Sequence, residues 1–263
     1  MPIPDEGFPR TAAVSPRVQV RERTGSTNAD LLAAAAADPH EWPHLSVLLT
    51  MDQTAGRGRL DRSWTTPPGT AVAVSVLVRT PGVPAASRGW VPLLAGAAMT
   101  RAIATQLRGS GHEVGLKWPN DVLIDGLKVC GILAEAIPGT DAIVVGAGVN
   151  TRMSPADLPV PTATSFAALG LEADEDALLA DYLLALDEQL RALATTHGDA
   201  GAAGLRGEVE ALCVTLGREV AVTLPGGDML HGHAQRIDAD GRLVVVTADV
   251  ETAVSAGDVV HVR

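Results

Sequence analysis

GLKWPNDVLIDGLKVCGILAEAIPGTDAIVVGAGV, residues Gly115–Val149, is the stretch that decides the fold class. It breaks into four apolar runs, Gly115–Trp118, Val122–Ile124, Lys128–Ile137 and Ala142–Val149. Runs this short, rich in Val, Ile and Leu and bounded by turn residues, read as strands. Asp125-Gly126 supplies a two-residue hairpin turn between the second and third, since both residue types tolerate positive φ. Successive strands without intervening helices predict an α+β fold with a mostly antiparallel mixed sheet, because a doubly wound sheet places a helix at each crossover.

The flanking sequence fits that frame. Leu45–Thr50 and Thr70–Arg79 (TAVAVSVLVR) read as buried strands, and Ser87–Leu107 has the length and apolar content of a central helix. Gly25–Asp30 opens a helix: Ser26 or Thr27 caps its first turn, Asp30 favours the positive end of its dipole, and Asp38-Pro39 ends it. Residues 151–173, with three prolines and three threonines, read as an extended loop. Asp174–Thr196 places Leu178, Leu179, Leu183, Leu186 and Leu190 at helical spacing, and a shorter helix covers roughly Ala202–Leu212.

After Leu216 come strand-like runs Glu219–Leu224, Leu230–Ile237, Leu243–Thr247 and Val259–Val262. Pro225-Gly226-Gly227, Asp238–Gly241 and Ala256-Gly257-Asp258 punctuate them, as in a small SH3-like β-barrel. The predicted organisation is a flexible tail over 1–15, a larger domain over 16–213 and the barrel over 214–263. Helices are expected to back one side of the larger domain's sheet, with a ligand cleft on the other.

Composition narrows the function. A net charge of −11 over 263 residues argues against non-specific binding to nucleic acid or an anionic membrane. Two cysteines, Cys130 and Cys213, make no disulfide scaffold and suit a reducing compartment. No apolar run reaches the ~20 residues that span a bilayer, and the proline-rich start has no signal-peptide core. A cytoplasmic protein is the expectation.

Against this acidic background, Gln53-Thr54-Ala55-Gly56-Arg57-Gly58-Arg59-Leu60-Asp61-Arg62-Ser63-Trp64 concentrates positive charge directly after a strand. Glycine lets backbone approach a ligand, and arginine brings a planar donor fork suited to carboxylate or phosphate. The bland reading is a solvated arginine loop; a P-loop is excluded because no Gly-Lys-Ser/Thr follows at the required spacing. Lys117-Trp118-Pro119-Asn120-Asp121 and Lys128 put two lysines on neighbouring strands, where they repel unless an anion separates them. Asn120 and Asp121 are also good turn formers. Gly146-Ala147-Gly148-Val149-Asn150 lacks the third glycine and helix of a dinucleotide fingerprint and reads as close packing or as Asn150 aimed at a ligand. His231 and His233 have no third ligand near them in sequence, so no metal-ligating set is assigned.

These segments, in this order, resemble the biotin protein ligases, or biotin–[acetyl-CoA-carboxylase] ligases. The matching stretches are Ser26-Thr27-Asn28, Gln53-x-x-Gly56-Arg57-Gly58-Arg59, Lys117–Asp121, Lys128-x-x-Gly131-Ile132-Leu133-x-Glu135 and Gly146-x-Gly148-x-Asn150. The resemblance implies a biotin/lipoate ligase-like catalytic domain and a two-step ligation. Biotin attacks the α-phosphorus of ATP with Mg2+ present, giving biotinyl-5′-AMP. A lysine of a biotin carboxyl carrier protein, part of a biotin-dependent carboxylase, then takes the biotinyl group. Implied catalytic residues are Lys128, Arg59 and Lys117. Ser26, Thr27, Asn28, Gln53, Arg57, Gly58, Arg59, Lys128 and Gly131 would bind biotin; Arg62, Trp64, Asn120, Asp121 and Asn150 would hold the nucleotide.

The chain departs from the family pattern in three places. Only about 25 residues precede Ser26, too few for the winged helix of members that double as repressors, so no nucleic-acid partner is expected. Leu60-Asp61 stands where family loops continue with Arg-Gly, and Val160–Phe166 lacks the tryptophan of some adenylate loops. Trp64 is therefore a candidate for stacking on adenine, with plain packing as its other reading. Competing functions are a lipoate or octanoate protein ligase and a non-enzymatic biotin-binding sensor. Monomer and homodimer both remain open.

Overall fold

The computed structural model describes residues 7–60, 62–224, 227–255 and 257–262. Met1–Glu6 of the expected tail, Asp61 of the arginine segment, and Pro225, Gly226 and Ala256 of the expected turns lie outside them. The first half contains helix α1 (Pro9–Val14), strand β1 (Val18–Arg21), α2 (Thr27–Ala37), β2 (Ser46–Thr50) and a two-stranded ribbon, β3 (Gly56–Arg57) with β4 (Ser63–Trp64). It continues through β5 (Ala71–Arg79), α3 (Trp90–Gln106), β6 (Val114–Lys117), β7 (Asp121–Ile124), β8 (Leu127–Ala136) and β9 (Ala142–Asn150). Helices α4 (Glu175–Thr195) and α5 (Leu205–Leu212) follow, then strands β10 (Glu219–Thr223), β11 (Met229–Ile237), β12 (Leu243–Thr247), β13 (Val250–Val254) and β14 (Asp258–His261).

Seven strands form one sheet in the order β1-β2-β5-β9-β8-β7-β6, antiparallel throughout except for the parallel pair β1–β2. The alternation in β5 shows how the sequence sorts its two faces. Val72, Val74, Val76 and Val78 join the main core under α3, while Ser75 and Leu77 point to the opposite face. Gly96 of α3 is required by that packing, because a Cβ there would come within 2.5 Å of Leu116 Cδ1. Helix α4 lies over α3, and α1 over α4.

One helix departs from the expected one-sided backing. Helix α2 sits on the other face, where Leu31 and Ala35 bury against Leu48, Leu77 and Val144. It covers one end of that face and leaves the cleft beside its N-terminus.

The expected tail is ordered from residue 7. Phe8 and Thr11 are buried, and the free amides opening α1 are met from α4: Asp176 accepts from the backbone N–H of Arg10 and of Thr11, each at 2.8 Å. An Asp more than 160 residues away caps the helix, so the local sequence carries no sign of it.

The C-terminal strands make a five-stranded antiparallel sheet, β13-β12-β11-β10-β14, with no ladder between β13 and β14 among the described residues. Strand β13 went unread in the sequence: its hairpin turns on Ala248 and Asp249, both at positive φ and neither glycine. Two tryptophans fasten this sheet to the larger one. Trp90 Nε1 donates to Ala239 O at 2.8 Å and Trp118 Nε1 to Gly241 O at 3.1 Å. Each bond contributes about 1 kcal/mol net, on top of the burial of a large ring.

Candidate active site

A cavity of about 160 Å3 opens on the face opposite α3, between the N-terminus of α2, the arginine loop after β3, and strands β7, β8 and β9. Gly257 and Asp258 of the C-terminal sheet complete its rim.

Its floor is a chain of polar groups. Ser26 caps α2 by accepting from Ala29 N, and Gln53 Oε1 accepts from Thr27 N at 2.8 Å. Ser75 Oγ lies 2.6 Å from Asn28 Oδ1 and 2.8 Å from Thr27 Oγ1. Ser75 has one proton and Asn28 Oδ1 can only accept, so that proton goes to Asn28. Asn28 Nδ2 donates to Leu133 O at 3.1 Å and Glu135 Oε2 at 2.8 Å. Gly146 makes room: its Cβ would stand 2.2 Å from Asn28 Oδ1.

The three arginines of the loop reach three different elements. Arg57 pairs with Glu135 on β8 at 2.9 Å, and Arg62 with Asp258 on β14 at 2.5 Å. Arg59, between them, donates to the neutral Asn120 Oδ1 at 3.1 Å. Burial lowers the Arg59 pKa, Asp121 and Asp258 oppose that, and Arg62 adds to it. Burial alone would raise the Asp258 carboxyl, but the Arg62 hydrogen bond and charge, with Lys117 and Arg59 beyond, hold it below the usual range. Gly58 N closes the loop on Arg62 O at 2.6 Å.

Lys128 Nζ meets Asp121 Oδ1 at 2.6 Å across the β7–β8 hairpin. Its stem runs over Gly131, where a Cβ would be 3.0 Å from Nζ. Asn120 Nδ2 donates to Ile132 O at 2.6 Å, which fixes the amide that receives Arg59. Trp64 lies flat over Gly148, whose Cβ would stand 2.6 Å from the ring.

The cavity therefore gathers Ser26, Thr27, Asn28, Gln53, Arg57, Gly58 and Arg59, and likewise Arg62, Trp64, Asn120, Asp121, Lys128 and Gly131. Two of the sequence-predicted residues are not among its lining. Asn150 is buried with its amide donating to Thr164 O at 3.0 Å, which ties it to the 151–173 segment. Lys117 stands opposite Asp121 in the β6–β7 ladder, and its charge helps lower the pKa values of Asp258 and His261. Alternation places both on the cleft face, Asn150 with Gly146 and Gly148 on β9 and Lys117 opposite Asp121 on β7, so position along the strand and the partner each side chain meets keep them out of the lining.

Sequence reasoning named no site role for Ser75, Glu135 or Asp258. Ser75 is the one hydroxyl inside strand β5, AVAVSVLVR, a polar group in a buried strand that needs a partner, and that signal was readable. Asp258 was not, because its partner lies 196 residues away. Among the described residues no group of three or more His, Cys, Asp or Glu is placed to hold a metal ion.

The model for the biotin/lipoate A/B protein ligase family matches residues 20–150, and that for the biotin protein ligase C-terminal domain matches residues 215–262. The biotin–[acetyl-CoA-carboxylase] ligase of Mycobacterium tuberculosis is 40% identical over 94% of this chain and 90% of its own length. The chain belongs to the biotin protein ligase family. The enzyme of the same name from Paracoccus denitrificans is 33% identical over 85% of this chain and 91% of that one. In fold, the chain resembles the biotin protein ligase from Aquifex aeolicus, solved in complex with biotin and ATP. That likeness has a TM-score of 0.74 at 23% identity, over 94% of this chain and 99% of that one. The match over 20–150 holds every cavity residue except Gly257 and Asp258, and these fall within the match to the family's C-terminal domain.

Proposed function

We propose that this biotin protein ligase family member activates biotin with ATP as biotinyl-5′-AMP and transfers it to a lysine of a biotin carboxyl carrier protein. The observation that carries the reading is the charge balance of the cavity. Arg57, Arg62 and Lys128 each have a carboxylate partner, in Glu135, Asp258 and Asp121. Arg59 meets only a neutral amide within hydrogen-bonding distance among the described residues, and it is partly desolvated. A partly desolvated guanidinium with no carboxylate in hydrogen-bonding distance among the described residues favours an anion.

In the first step a carboxylate oxygen attacks the α-phosphorus, an O–P bond forms, and the bond to pyrophosphate breaks. Two anions have to be held together while charge grows on the phosphoryl oxygens, so fixed cations and positioning carry the catalysis. Arg59 and Lys128 are the cations we assign to this, with Asp121 steering Lys128. The Asn28–Ser75–Thr27–Gln53 floor offers donors and acceptors to a polar head group. In the second step the neutral amine of the carrier lysine attacks the acyl carbon and AMP leaves. Magnesium enters with ATP as its phosphate complex. That fits a cavity whose two lining carboxylates, Asp121 and Asp258, are each already paired with a cation.

We further read residues 16–213 as the catalytic unit and 214–263 as a separate C-terminal unit. The unpaired, buried Cys130 and Cys213 support a cytoplasmic setting, and no helix among the described residues is long and apolar enough to cross a membrane. The deciding experiment is biotin-dependent ATP–pyrophosphate exchange on the purified chain, with lipoate and no-acid controls. Exchange with biotin is the expected result. Exchange with lipoate alone moves the substrate, and exchange with neither, in a folded protein with magnesium, overturns the reading.

A further inference from the structure

Glu135 stands on the cleft face of β8, two residues beyond Leu133 and four beyond Gly131, and its side chain is 25% exposed. A single oxygen, Oε2, takes the amide of Asn28 at 2.8 Å and the guanidinium of Arg57 at 2.9 Å. The two donors come from different parts of the site. Asn28 ends the polar floor, with its Oδ1 receiving Ser75 and its Nδ2 also bonded to Leu133 O. Arg57 is the first arginine of the loop that lines the same cavity.

The floor orients the carboxylate, and the carboxylate orients the loop. With Asn28 held by Ser75 and Leu133, the Glu135 oxygen is already fixed when Arg57 meets it, so less side-chain freedom is lost on pairing. A ligand that moves or tightens Asn28 therefore alters the acceptor that Arg57 depends on. We propose that Glu135 is a positioning residue that couples the seating of the acid substrate beside Asn28 to closure of the arginine loop. This rests on the ligase reading above and adds to it the residue through which binding is felt by the loop.

The test is limited trypsin digestion of segment 57–62 on the full chain, with and without saturating biotin, alongside thermal melting and biotin titration calorimetry. In the unmodified protein, biotin is expected to slow cleavage. Glu135→Gln keeps the shape but removes the charge, and charge-assisted hydrogen bonds are about twice as strong as neutral ones. The variant is expected to melt as before, yet to lose about tenfold of the biotin-dependent protection and, by reciprocity, up to the same factor in biotin affinity. Arg57→Gln, on the exposed side of the pair, tests the same contact without touching the seven-stranded sheet; since it removes one trypsin site, cleavage after Arg59 and Arg62 is compared in all variants, and the double variant is expected to lose no more than either single one. Wild-type protection in Glu135→Gln, or losses that add in the double variant, overturns the proposal while leaving ligase activity standing. An unmodified chain with neither biotin binding nor biotin-dependent exchange overturns the ligase reading and this proposal with it.

Discussion

Segments 51–69 and 151–173 are the two long connections beside the cavity. The start of the first is tied by backbone to Thr24 and Gly25 and its tip by arginine side chains, whereas the second is tied by its own backbone. Between residues 57 and 62 the described backbone bonds are internal, Gly58 N to Arg62 O and Arg62 N to Arg59 O, and the ties outward run through Arg57, Arg59 and Arg62. Segment 151–173 is stitched to β8, with Lys128 N donating to Thr162 O and Thr164 N to Lys128 O, both at 2.8 Å. Buried polar groups reinforce it: Asn150 donates to Thr164 O, Ser165 to Met153 O, and Glu175 accepts from Thr151 and Arg152. Half-exposed ion pairs are weak and screened by salt, whereas buried backbone partners are costly to lose. The tip of the first segment thus rests on weaker ties than the second, which holds the backbone of Lys128.

The sharpest way to break that comparison is Arg59→Ala. Arg59 has no carboxylate partner among the described residues, so its loss is expected to leave the fold and melting temperature intact while biotinyl-5′-AMP escapes about 10- to 100-fold faster, the weight of one charged hydrogen bond. Rapid filtration of pre-formed adenylate measures this. Unchanged retention removes Arg59 from the site's chemistry.

Asn150→Ala should do the opposite. Truncation leaves Thr164 O without its donor, with an expected loss of about 1–3 kcal/mol in stability and little change in nucleotide affinity. Denaturant unfolding and ATP titration read the two sides separately. A lost affinity at unchanged stability would return Asn150 to the nucleotide site.

The same contrast accounts for what the sequence disclosed. Segments whose role lies in local pattern were readable: the Val alternation of β5, the Asp125-Gly126 turn with φ of 49° and 80°, and the Ser26 cap. So was the glycine–arginine loop, whose composition clashes with an acidic chain. What stayed hidden depends on partners far away in the chain. Asp176 capping α1, Asp258 holding Arg62 and Glu135 shared by Asn28 and Arg57 each join residues 78 or more positions apart. Asn150 and Lys117 stand on the cleft face but outside the cavity lining, since composition does not say which neighbour claims a side chain.

The smallest effect concerns the seat of the third arginine anchor. Asp258 opens β14, and His261 ends that strand against Thr215 of the linking segment, with Nε2 and Oγ1 3.3 Å apart. Burial, with Lys117 and Arg218 adding like charge, lowers the His261 pKa from 6.5 to about 4. Between those values the unfolded chain binds a proton that the folded imidazole refuses, so stability falls as the pH drops through that window and is fully present above it. Because the ring is partly exposed, solvent screening keeps the effect small. His261→Gln removes the titrating group, and the difference between the two proteins' melting curves is expected to vanish above pH 6.5 and to grow toward pH 4 in favour of the variant. That difference isolates His261 from the buried Glu175, whose raised pKa slopes the other way in both proteins. If the curves run parallel across the window, β14 is seated without regard to His261, and the Arg62 anchor owes its hold to Asp258 alone.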